Sequence, residues 1–107
     1  MAQRGMNPEM MKQFQALQSK IAKAQQELEE TTIEASSGGG AVAVVMTAQP
    51  RLSGITIQPE VVDASDVEML QDLIMAAINE ALEQARASQM QQLGAVAGGL
   101  NIPGLTG

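Results

Sequence analysis

The chain has no cysteine, histidine, tryptophan or tyrosine, and its one aromatic residue is Phe14. Without Cys and His there can be no disulfide, no thiolate or imidazole metal site, no cysteine nucleophile and no histidine general base. A single aromatic ring offers no platform on which successive bases could stack. Cations are scarce too: six Lys and Arg stand against twelve Asp and Glu, for a net charge of −6. Carboxylates, hydroxyls and six cations remain, a set that points away from catalysis, from a small-molecule substrate and from any cofactor. No apolar run approaches the ~18 residues of a membrane span. The opening MAQRGMNPEMMKQF lacks the apolar centre of a signal peptide. A soluble cytoplasmic protein with no membrane partner is therefore expected.

What is present is aliphatic. Apolar residues make up 45% of the 107, among them eight Met. One small domain is all this length supports, and a domain of that size buries only a modest fraction of its surface. With no disulfide or metal to staple it, association with a second copy is the stabiliser left.

Asn7-Pro8-Glu9 reads as a helix start, with Asn7 as N-cap, Pro8 at the first helical position and Glu9 near the positive end. Met10, Phe14, Leu17, Ile21, Ala24 and Leu28 then recur at alternating spacings of four and three. That 3.5-residue period is the seam of a helix pair, so a helix is expected over residues 8–30 with this seam as a homodimer interface. Residues 31–35 (TTIEA) suit a strand, and Ser36 to Gly40 (SSGGG) suit a turn. Residues 41–47 alternate, with Val42, Val44 and Met46 on one face and Ala43, Val45 and Thr47 on the other. Pro50 breaks the run. A third strand over 52–58 turns Ile55 and Ile57 to one side, with Gly54 as a candidate bulge. Ser65-Asp66-Val67-Glu68 fits a capping box with Ser65 as N-cap. The helix that follows, to about Gln92, carries Val67, Leu70, Ile74, Ala77, Ile78, Ala81, Leu82 and Ala85 as a broad apolar face at helical spacing. Residues 1–7 read as a loose lead-in, 8–93 as a single domain, and 94–107 (GAVAGGLNIPGLTG) as a flexible Gly-rich tail.

The fold expected is α+β: a long N-terminal helix, a three-stranded antiparallel sheet and a long C-terminal helix, in the order α-β-β-β-α. The first helix is about twice as long as any strand, so much of its apolar stripe overhangs the sheet and calls for a partner.

Charge is unevenly placed. Residues 1–26 carry Arg4, Lys12, Lys20 and Lys23 against Glu9, a net of +3, while residues 27–107 carry −9. Lys12 and Lys23 are eleven residues apart, three helical turns, and Lys20 joins them on that face. Such a stripe can grip phosphates, although on charge alone it reads first as the solvated flank of a coiled helix, and an acidic chain is the reverse of the usual nucleic-acid footprint. The SGGG turn lacks a GK[ST] ending and precedes a strand, so it is no phosphate loop. Asp63, Asp66, Glu68 and Asp72 lack calcium-loop spacing and serve a helix start.

Four segments in this order, NPEMMKQFQALQSKIAKAQQELEE, ASSGGGAVAVVM, ITIQPEVVD and DVEMLQDLIMAAINEALEQA, resemble the YbaB/EbfC family of bacterial nucleoid-associated proteins over about residues 6–92. The resemblance implies a homodimer whose long helices project like tweezers from a joined sheet platform. It also implies DNA as partner, a cytoplasmic, nucleoid location and no enzymatic activity. The positions that match the family's polar and basic helix residues are Lys12, Lys20, Lys23 and Arg86. Two features depart from the family pattern. Ala43 and Val45 stand where family strands often carry Lys, and Thr47-Ala48-Gln49-Pro50-Arg51 replaces an Asn-Gly hairpin. These departures and the acidity leave a second reading open: a small acidic dimeric interaction module or chaperone-like adaptor that does not bind DNA.

Overall fold

Asn7 starts the first helix as its residue type dictates: its side-chain oxygen accepts the Met10 backbone N–H at 2.7 Å, and Pro8 takes the first helical position. A computed structural model describes residues 7–100, and α1 spans Pro8–Glu30 within it. The helix ends at Thr31, which turns extended (φ −82°, ψ 122°). The Thr31 Oγ1 hydroxyl donates to the Glu27 carbonyl at 2.6 Å and satisfies one of the orphaned acceptors of the last turn.

Three strands follow: β1 (Thr32–Ser37), β2 (Val42–Thr47) and β3 (Arg51–Ile57), an antiparallel meander in the order β1-β2-β3. Gly38, Gly39 and Gly40 close the first hairpin, all at positive φ (60°, 68° and 95°), which explains three successive residues without a β-carbon. In the second hairpin pair, Val45 faces Gly54 and Met46 faces Leu52. Ser53 is therefore the extra residue of a bulge, directly beside the Gly54 that the sequence singled out.

The alternation in β2 sorts as the sequence predicts. Val42, Val44 and Met46 are buried (0, 1 and 3% exposed), while Val45 on the other face is 36% exposed. Their partners Ile33 and Ala35 on β1 are buried as well. After a 3-10 turn at Pro59–Val61, α2 (Val67–Leu100) runs back over this face. It rests Ala77, Ala81 and Ala85 on the sheet, each fully buried, with Leu70, Ile74, Ile78 and Leu82 packed around them. A row of alanines lets helix and sheet approach closely, and each buried Val then contributes about 1.5–3 kcal/mol. Two side-chain bonds fix the ends of the contact. Ser37 Oγ donates to the Leu73 carbonyl at 2.6 Å, and Gln89 Nε2 donates to the Ala48 carbonyl at 2.9 Å.

Two expectations are corrected. The N-cap of α2 is Asp66, which accepts the Met69 N–H at 3.2 Å, and not Ser65. Ser65 is held by the preceding turn, where its N–H and its hydroxyl both donate to Asp63 Oδ1 (2.9 and 2.7 Å), and these bonds hold the Asp63 carboxyl below its ordinary pKa. Helix α2 also does not stop near Gln92 but continues through Gly94 and Gly98 to Leu100, so the first half of the expected flexible tail is helical. The remainder of that tail, and most of the expected lead-in, lie outside the described residues.

Because α2 covers β1 and β2, much of the inner face of β3 stays open: Leu52 and Ile55 are 46% and 43% exposed, while Ile57 packs against the core. Helix α1 touches the core only at its end, through Leu28 and Ala24. The rest of it projects from the sheet alongside the end of α2, giving a body of 74 × 28 × 20 Å.

Candidate nucleic-acid interface

The projecting arm is an antiparallel helix pair. Ala24 of α1 meets Gln92 and Val96 of α2 along the seam, and a shallow groove opens on each side. The groove on one side, of about 200 Å³, adds Lys20, Lys23, Glu27 and Ala95 to the seam residues. On the opposite side, a groove of about 180 Å³ adds Ile21, Gln25, Leu28, Gln89 and Leu93. The arm therefore has a cationic side and an apolar side.

Lys12 is exposed, and its three-turn spacing from Lys23 places it on the cationic side. Thus the three lysines do share one face, with Glu27 among them. Arg86 is exposed but falls elsewhere. It stands three residues before Gln89 and seven before Leu93, both of the apolar groove, so it sits on the other flank of α2. The structure does not gather Arg86 with the lysines.

The apolar seam read from the sequence divides into two parts. Ala24 and Leu28 are buried within the protomer, against α2 and the core. Met10, Phe14 and Ile21 are 51, 48 and 42% exposed, and Leu17 is half-buried. A heptad pattern shows that a helix needs a partner, not whether that partner is its own chain, and here α2 meets the demand only at the Ala24 and Leu28 end. The apolar side also extends beyond the arm. Gln89 reaches from it to the Ala48 carbonyl at the end of β2, and Met75, Leu52 and Ile55 are further exposed apolar side chains on α2 and β3.

Gln92, Ala95, Val96 and Glu27 are site residues that sequence reasoning missed. The signal was present in the continuing spacing Ala85, Gln89, Gln92, Val96, which keeps the buried stripe of α2 running past the point where its charges end. Among the described residues no cluster of three Asp or Glu is placed to hold a metal ion. No helix there is long and apolar enough to cross a membrane.

Comparison with known proteins agrees with this architecture. A crystal structure of an uncharacterized protein from Helicobacter pylori superposes with a TM-score of 0.75, covering 87% of this chain and 99% of that one, at 17% identity, a likeness of fold alone. A nucleoid-associated protein of Syntrophobacter fumaroxidans is 50% identical over 102 residues, covering 95% of this chain and 91% of that protein. Another, of Alkaliphilus metalliredigens, is 53% identical over 96 residues, covering 90% and 84%. The model of the YbaB/EbfC DNA-binding family matches residues 3–100. The chain belongs to the YbaB/EbfC DNA-binding family.

Proposed function

We propose that this protein is a nucleoid-associated DNA-binding protein that works as a homodimer and grips backbone phosphates with the cationic side of its arm. Its role is binding, not catalysis, and its place is the nucleoid of the cytoplasm. The observation that carries the reading is the segregation of Lys20 and Lys23, with Lys12 in line by helical spacing, from the apolar side of the same helix pair. A second copy can cover Phe14, Ile21 and Leu93 while leaving the lysines of both chains in solvent. Phosphates are the natural target, because one phenylalanine cannot stack bases and the arm carries no arginine or asparagine cluster for reading groove edges. The acidic remainder of the molecule repels a duplex and confines contact to the arm.

Engaging about five phosphates gives a log–log salt slope of about −4 to −5. Electrophoretic mobility shifts across a salt series measure that slope. Changing Lys12, Lys20 and Lys23 together to Glu is expected to abolish the shift while light scattering still reports a dimer, since all three lie off the apolar side. A triple variant that binds like wild type would remove these lysines from the interface. The exposed, cation-free Val45 on the outer sheet face favours the second reading, an interaction module. That reading takes over if wild type fails to shift DNA even near ~20 mM salt, where the phosphate term is strongest.

A further inference from the structure

The groove on the cationic side is more specific than a row of lysines. Lys20, Lys23 and Glu27 line it from α1, and Gln92 and Ala95 line it from α2. Two cations and an amide converge there with one carboxylate, across a seam whose opposite wall ends in a methyl group. We infer that this groove seats one backbone phosphate of the DNA in each protomer, with Gln92 as a neutral donor beside Lys20 and Lys23 and Glu27 opposing the bound charge. The inference rests on the DNA-binding reading above and adds a defined subsite to it.

The chemistry gives each residue a separate signature. Lysines at a phosphate release counterions, so they set both affinity and salt slope. An amide donor adds a hydrogen bond without releasing an ion, so it sets affinity alone. Glu27 lines the same groove one helical turn from Lys23, so its negative charge opposes that of a phosphate seated there. A small residue at position 95 is what leaves the wall low enough for a phosphate to enter. Glu27 therefore tunes the arm toward weak, exchangeable binding.

Binding of a duplex by the full-length dimer, measured at several salt concentrations, separates these roles. Glu27→Gln is expected to tighten binding about threefold or more, since exposed charge pairs are each worth a few tenths to one kcal/mol and a dimer has two grooves. This change leaves the Glu27 main-chain carbonyl, which accepts from Thr31 Oγ1, in place. Gln92→Ala is expected to weaken binding by about two- to tenfold with the salt slope unchanged. Ala95→Glu is expected to weaken it by about tenfold or more, while Met90→Glu, which adds the same charge on the outward flank of α2, changes it by less than about threefold. Circular dichroism and light scattering on each variant confirm fold and dimer. The groove assignment is overturned if folded Glu27→Gln binds no tighter than wild type, or if Ala95→Glu and Met90→Glu weaken binding equally. Failure of wild type to shift DNA even near ~20 mM salt, by contrast, would overturn the DNA-binding reading itself.

Discussion

At Gly38 the backbone sits at φ +60°, and a β-carbon added there would lie 2.8 Å from Leu73 Cδ2. Both facts bind this residue: the conformation is one that L side chains rarely adopt, and the space is taken by the helix that roofs the sheet. Gly38→Ala is expected to destabilise the fold by about 1–3 kcal/mol, because strain and a forced shift of Leu73 add together. Gly39→Ala, with the same kind of φ but open space around it, carries the conformational cost alone. Urea unfolding of the two variants checks the order. At this scale the sequence was informative where one residue type does one thing. Asn7 before Pro8 marked a helix start that the Met10 bond bears out. It was ambiguous where three neighbours offer the same oxygen. Asp63, Ser65 and Asp66 can all cap, and only the turn geometry, which ties Ser65 to Asp63, leaves the helix to Asp66.

Among the elements, α2 departs furthest from expectation. Gly94, Gly98 and Gly99 lower helix propensity by about 1 kcal/mol each relative to Ala, and the absence of charge after Arg86 removes the usual last-turn signals. Propensity alone ends the helix near Gln92. Tertiary packing extends it, because Val96 lies in the seam against Ala24 and Ala95 lines the cationic groove. Deleting residues 94–107 is expected to lower the melting temperature by several degrees, since it removes Ala95 and Val96 from the seam with α1. Differential scanning calorimetry measures this directly; a change of a degree or less would mean that α1 stands without α2's end. The strands were easier to place, because period-two alternation in β2 has no helical competitor and the Gly and Pro turns bracket it. The side of α1 that meets α2 was not legible, since Met10 to Leu28 form one unbroken stripe and the division between Leu28, inside, and Ile21, outside, depends on how far α2 reaches.

The molecule leaves large apolar side chains exposed both on the arm, at Phe14 and Ile21, and on the sheet, at Leu52 and Ile55. These exposures motivate the dimer. Ile21→Glu and Ile55→Arg each place a charge at a position that is over two-fifths exposed in the protomer. The protomer tolerates them, whereas an interface would bury the charge without a partner at a cost of about 3–5 kcal/mol. Multi-angle light scattering is expected to report a dimer for wild type and a folded monomer for the pair of substitutions together. A wild-type monomer would show that these side chains stay in water. The order of elements, the pairing of strands and the cationic face of α1 were all legible in the sequence. The opposition of cationic and apolar sides was not, for it arises only when α2 docks on α1 and defines two flanks.

The bulge at Ser53 bears on how many copies can join. β3 is an edge strand, and a long regular edge is a template to which strand after strand can add until a fibre forms. Ser53 interrupts that template near its start and leaves Gly54 to Ile57 as its regular part. The other edge, β1, presents Glu34 in solvent, a charge that discourages stacking of like chains. A sheet so bounded offers a neighbouring strand only a short regular segment at one edge and a charged side chain at the other, which disfavours open-ended addition.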